Sequence, residues 1–167
     1  MPRPDDRMAK ILMLKPEKCI SCRTCELACS FKHEREFRPS ASRVNVLSFE
    51  KEGISVPMMC QQCDVAVCVK VCATGALARN LETGALEVDD NKCIRCKMCI
   101  QACPFGNTTY DSVSNRILKC DLCAGDPQCV RFCPGGALTY EEASSGTMAK
   151  KRAFAAKFKD AMQEVSK

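Results

Sequence analysis

Four cysteines, Cys19, Cys22, Cys25 and Cys29, fall within the short stretch CISCRTCELAC. A free thiol packs like any small apolar group, so packing alone gives no reason for such density. Clustered sulfur donors point to metal ligation instead. The arrangement recurs three more times. Cys60, Cys63, Cys68 and Cys72 are spaced C-x2-C-x4-C-x3-C, while Cys93, Cys96, Cys99 and Cys103 repeat the first spacing, C-x2-C-x2-C-x3-C. Cys120, Cys123, Cys129 and Cys133 follow the second spacing with one extra residue. The quartets use all 16 cysteines and read A-B-A-B, an internal duplication. Groups one and three share their approach (PEKCISC, DNKCIRC), and groups two and four share their exit (CATGAL, CPGGAL).

Three cysteines at two-residue intervals on one tight loop direct three thiolates around a compact inorganic core. The loop amides are then placed to donate hydrogen bonds to that core. This spacing suits a cubane iron–sulfur cluster. Structural zinc normally takes pairs of C-x2-C from separated knuckles, and a third cysteine two residues later has no part in that geometry. A disulfide scaffold needs an oxidising context, and a C-x-x-C redox enzyme has no use for so many thiols. The sixteen cysteines therefore predict four [4Fe-4S] clusters. No residue reads as catalytic.

The rest of the composition agrees. The chain has 167 residues and is 46% hydrophobic, but cysteine supplies much of that share, aromatics are 5% and tryptophan is absent. Without its cysteines the apolar set is thin, so bound clusters are expected to help hold the fold. The formal charge of +5 counts every thiol as neutral. Each cubane with four thiolates carries about −2, which brings the filled protein to about −3. The basic residues then offset buried anionic clusters, and a nucleic-acid partner is not expected. MPRPDDRMAKILML reads as no secretory signal. No segment approaches the roughly 18–20 apolar residues that span a bilayer. A cytoplasmic protein without a transmembrane segment is the expectation.

Short β elements must position the cysteine loops. Between groups two and three, Ala76–Ala78 reads as a strand, Glu82-Thr83-Gly84 as a turn and Ala85–Val88 as the return strand. SRVNVLSFEKEGISVPMMC and TTYDSVSNRILKC alternate apolar and polar residues about turns at Glu52-Gly53 and Ser112–Asn115, which fits two further ribbons. Each quartet's fourth cysteine is expected at the opening of a short helix. From Thr147 the tail places Phe154, Phe158, Ala161, Met162 and Val165 on one face of an amphipathic helix over 147–167, suited to docking on a partner.

The hairpin between groups two and three resembles the centre of a bacterial two-cluster ferredoxin, in which the fourth cysteine of each run binds the other cluster. The resemblance implies crossed ligation: Cys60, Cys63 and Cys68 with Cys103, and Cys93, Cys96 and Cys99 with Cys72. Groups one and four form the second unit if strand AKILML lies antiparallel to strand GALTY. Its clusters take Cys19, Cys22 and Cys25 with Cys133, and Cys120, Cys123 and Cys129 with Cys29. A simpler pairing, one with two and three with four, stays open. The expected fold is α+β: two nested ferredoxin-like units within residues 10–142, with short helices, β hairpins and the C-terminal helix. Unit one covers 10–30 with 116–142 and unit two covers 58–106, joined by linkers 31–57 and 107–115.

With MMCQQCDVAVCVKVCATGAL and KCDLCAGDPQCVRFCPGGAL as its second and fourth motifs, the chain resembles the four-cluster ferredoxin-like electron-transfer subunits of multisubunit oxidoreductases. These include iron–sulfur subunits of dimethyl sulfoxide reductase, formate dehydrogenase and tungsten aldehyde oxidoreductase complexes. Ser30 and Ala73 stand where Pro104 and Pro134 follow the last cysteine of the other groups. The resemblance implies a non-catalytic wire. It connects a tungsten or molybdenum pterin subunit, with an aldehyde oxidoreductase the favoured parent, to a flavin, NAD, quinone or ferredoxin partner. A free-standing polyferredoxin and the iron–sulfur subunit of a dimethyl sulfoxide reductase-type, formate dehydrogenase or aromatic acyl-CoA reductase complex are the alternatives. Ile20, Ile94, Val69 and Phe132 are expected to bury the clusters. Arg23, Arg95, Lys97 and Lys70 lie in the loops, with solvent the plainer destination for their charges, and His33 is expected to be solvated.

Overall fold

The computed structural model describes residues 10–142; the expected helix over 147–167 lies outside them. Four antiparallel two-stranded ribbons and four helices make up an α+β fold. Strand β1 (Lys10–Leu14) pairs with β8 (Leu138–Glu142), in register from Lys10 against Glu142 to Leu14 against Leu138. The Lys15 amide extends this ladder by donating to the Ala137 carbonyl at 2.8 Å. The other three ribbons are hairpins: β2 (Val44–Phe49) with β3 (Ile54–Met59), β4 (Leu77–Arg79) with β5 (Leu86–Val88), and β6 (Thr109–Asp111) with β7 (Arg116–Leu118).

Helices α2 (Val67–Lys70), α3 (Met98–Gln101) and α4 (Gln128–Arg131) are single turns. Each stops at the same device. The amides of Gly75, Gly106 and Gly136 donate to the carbonyls of Cys72, Cys103 and Cys133 at 3.1, 3.2 and 3.3 Å. All three glycines hold φ between +63° and +65°, a conformation that costs glycine nothing sterically. Helix α1 (Thr24–Glu34) behaves differently and runs for 11 residues. After Cys29 comes Ser30-Phe31-Lys32-His33, with neither proline nor glycine to stop it. It buries Cys25, Glu26, Cys29 and Ser30, one face at the helical period.

Helix α1 is fixed to the β2–β3 ribbon through the Glu26 carboxylate, which accepts from the Val46 amide at 2.6 Å. Two cores result. One joins Cys25, Cys29 and Cys129 with Val44, Val46, Met59 and Leu138; the other joins Cys68 and Cys99 with Leu77, Leu86 and Ile117. Cysteine is thus part of both cores. A bidentate ion pair links the segment after α1 to the β6–β7 hairpin. Arg38 Nη1 and Nη2 donate to Asp111 Oδ1 and Oδ2 at 2.8 and 2.9 Å. Among the described residues no helix is long and apolar enough to cross a membrane.

Candidate functional site

The third cysteine of each quartet sits on a helix and the fourth follows four residues later. The fourth was expected at a helix opening. It lies instead beyond the last residue of α2, α3 and α4, and inside α1. The reason is the i, i+4 spacing, which stacks the two residues one turn apart along one face. The third cysteine completes its own loop, and the fourth is carried one turn along toward a neighbouring group.

The structure brings the sulfurs together across the groups. Cys133 joins Cys19, Cys22 and Cys25 around one cavity. Cys29 joins Cys120, Cys123 and Cys129 around a second. Cys72 joins Cys93, Cys96 and Cys99 around a third. In a fourth grouping the Lys119 ammonium faces Cys60, Cys68 and Cys103, and the Cys63 thiol faces Cys60 and Cys68. All sixteen are free thiols; only Cys22 and Cys96 are exposed.

Backbone geometry shapes these loops for an anionic guest. Ser21 and Arg23 in the first loop hold φ of 57° and 55°, and the equivalent Arg95 and Lys97 in the third hold 57° and 64°. Leu122, Cys123 and Ala124 in the fourth are left-handed as well. Left-handed non-glycine residues cost on the order of 1–3 kcal/mol each and persist only where the surroundings over-determine them. In the first and third loops the hands alternate, which points successive N–H groups into one concavity, the nest geometry found at iron–sulfur sites. The Arg43 amide also donates to Cys29 Sγ at 3.2 Å. Four sulfurs lined by amide donors fit a cubane cluster better than a bare tetrahedral cation.

Burial makes isolated thiolates unfavourable here. It pushes Cys25 up to about 12, with the Glu26 carboxylate adding to the effect, and Cys120 likewise to about 12. Cys63, Cys99, Cys123 and Cys129 are raised for the same reason. Deprotonated ligands in these cavities need the positive charge of a metal beside them.

Several side chains stand away from their expected places. His33 is not solvated: its Nε2 lies 3.4 Å from Asp121 Oδ1 and 3.7 Å from Cys123 Sγ. Burial, then the nearby Arg43 charge, lowers it to about 4, so it is neutral at physiological pH. The extended run of α1 past Cys29 carries it there. Ile20 and Ile94 line the Cys22 and Cys96 cavities as expected, though each is 66% exposed, while Phe132, 53% exposed, lines none of the three. The buried ribbon residues Leu138 and Leu77 line the same two cavities, while Val69 packs partly buried against the second core. Arg23 and Lys70 face solvent. Arg95 instead donates to the carbonyls of Cys93, Asp90 and Asn115, and Lys97 lies 4.0 Å over the Tyr110 ring. Sequence reasoning missed Lys119, which is 5% exposed and donates to Cys60 Sγ at 3.0 Å. It also missed Gln62, which accepts from the Leu86 amide at 2.8 Å and donates to the Cys120 carbonyl at 2.7 Å.

Comparison with known proteins agrees with this chemistry. A 4Fe-4S dicluster domain matches residues 52–143, and a 4Fe-4S binding domain matches residues 16–32. The polyferredoxin-like subunit of an aliphatic sulfonate oxidoreductase from Pyrococcus furiosus is 41% identical over 117 residues, covering 70% of this chain and 67% of that protein. An iron-sulfur protein of Rhodospirillum rubrum is 35% identical over 132 residues, covering 68% of this chain and 67% of that protein. Among solved structures, the active site complex BamBC of benzoyl coenzyme A reductase with 1,5-dienoyl-CoA superposes at a TM-score of 0.50, with 28% identity over 83% of this chain and 78% of that one. Sulfur-lined loops closed by cross-group cysteines, together with these matches, show that the chain belongs to the 4Fe-4S dicluster domain family of ferredoxin-like electron-transfer proteins.

Proposed function

We propose that the chain is the electron wire of an oxidoreductase complex, holding four [4Fe-4S] clusters by crossed ligation. The ligand sets are Cys19, Cys22, Cys25 and Cys133; Cys29, Cys120, Cys123 and Cys129; Cys60, Cys63, Cys68 and Cys103; and Cys72, Cys93, Cys96 and Cys99. The observation that carries this reading is the sharing of fourth cysteines. Each i, i+4 pair contributes to two neighbouring sets, so two helical turns tie the Cys22 set to the Cys29 set and two tie the Cys60 set to the Cys96 set, while the two halves meet through Cys120 and Cys60.

Contacts between sets give the row an order. Cys25 lies within electrostatic reach of Cys129, Cys120 of Cys60, and Cys99 of Cys68. The Cys22 set and the Cys96 set are then the two ends. These contain the two exposed cysteines, each beside an exposed isoleucine, Ile20 or Ile94. Electrons enter at one end and leave at the other. When bound, each cluster supplies one-electron redox chemistry, and the chain's own residues insulate, space and orient the sulfurs.

The catalytic partner in this reading is a tungsten or molybdenum pterin subunit, with an electron-accepting flavin, NAD or ferredoxin subunit at the opposite end. Similarity to the named subunit of an aliphatic sulfonate oxidoreductase supports an oxidoreductase partner. Within this reading an aldehyde oxidoreductase is the favoured parent. The test is a reductive titration of the anaerobically purified chain. Uptake of about four electrons per chain is expected, one per cubane; uptake of none contradicts the wire.

A further inference from the structure

Lys119 is the one lysine among the described residues that is buried. Its ammonium donates to Cys60 Sγ at 3.0 Å and lies within electrostatic reach of Cys63, Cys68 and Cys103. One positive charge therefore faces an entire predicted ligand set. Its neighbours in the chain are fixed on both sides. Lys119 follows Leu118, which is 1% exposed at the end of β7, and precedes Cys120, whose carbonyl is bound by Gln62. The stem thus starts beside a ligand of the Cys29 set and ends on a ligand of the Cys60 set, at the junction of the two halves of the row. A lysine side chain is ordinarily protonated at neutral pH, and here its ammonium is turned onto sulfur rather than solvent.

We propose that Lys119 sets the potential of the cluster bound by Cys60, Cys63, Cys68 and Cys103, raising it so that this central cluster is more readily reduced than its surroundings alone would make it. The inference rests on the ligand assignment made above. One added electron takes a cubane from about −2 to about −3. A fixed positive charge in a poorly screened interior stabilises the more negative state. The N–H···S hydrogen bond acts in the same direction, because it withdraws electron density from a ligand sulfur. Lys119 touches a ligand rather than a substrate, so it is a positioning and tuning residue.

The test is an EPR-monitored redox titration of the full anaerobic chain, comparing wild type with Lys119→Met and Lys119→Arg at matched iron content. One midpoint is expected to fall in Lys119→Met by a tenfold or larger loss in the reduction equilibrium constant, about 59 mV for one electron. The other three midpoints stay in place, and Lys119→Arg recovers most of the shift. Cys60→Ser must perturb the same signal. Four unchanged midpoints in Lys119→Met overturn the proposal. If Lys119→Met fails to retain its iron, wild-type protein labelled with ε-15N-lysine decides. A 15N hyperfine coupling on one reduced-cluster signal is expected, and its absence overturns the proposal. Wild type that binds no iron refutes the ligand assignment instead, which keeps the two failures apart.

Discussion

At Gly135 a single methyl group is enough to test the packing of one loop on another. A Cβ there would stand 2.5 Å from the Lys18 carbonyl oxygen, a backbone atom with little freedom to retreat. Gly135 follows Cys133 and Pro134, while Lys18 precedes Cys19, so the clash would separate two cysteines of one set. Gly135→Ala is expected to cost about 1–3 kcal/mol, the usual range for overpacking. Its iron content should fall toward the loss of one cluster, read by iron analysis and a thermal melt. Wild-type iron and melting temperature would contradict the account. The sequence carried the ligands openly, because spacing alone marks thiolates for a cubane. It did not carry their neighbours. The dipeptide Lys-Cys occurs at Lys18, Lys92 and Lys119, but Lys18 is exposed, the Lys92 side chain is 65% exposed and only Lys119 is buried. The difference is made by β7, which ends at Leu118, together with the Gln62 loop, which is distant in sequence. His33 was misjudged for a related reason: charge in Lys32 to Arg38 suggested solvent, while helix α1 turned the ring inward.

Among elements, the ion pair between Arg38 and Asp111 joins the end of the α1 segment to the β6–β7 hairpin. The Arg38 guanidinium, bonded through both its terminal nitrogens, holds the Asp111 carboxyl well below the usual carboxylate range. The Ser114 hydroxyl and the Val113 amide also donate to it. A depressed carboxyl stabilises the folded chain fully above its ordinary value near about 4, and that stabilisation is lost only as the pH falls below it. Asp111→Asn should therefore lower the denaturation midpoint of the anaerobic protein by the same amount at pH 7 and pH 5. A gap that closes between those values would contradict the assignment. The ribbons themselves were legible in alternation and turn residues: Leu77 and Leu86 face the core as expected of short half-buried strands. The helices were less so. Local sequence shows where a helix is permitted, but the position of the fourth cysteine past its end follows from i, i+4 geometry and the glycine turn.

At the scale of the whole molecule, β1 and β8 bring the two ends of the described chain side by side, with three hairpins and the cysteine loops between them. That closure places group four next to group one, which no local pattern requires; it follows only if AKILML and GALTY pair. Both cores include cysteine, so clusters held by these thiolates are expected to be structural as well as redox components. The most direct test is the iron and acid-labile sulfide content of the full chain purified without oxygen. About sixteen iron and sixteen sulfide per chain are expected from four cubanes. A folded, colourless chain that binds no iron would contradict the account.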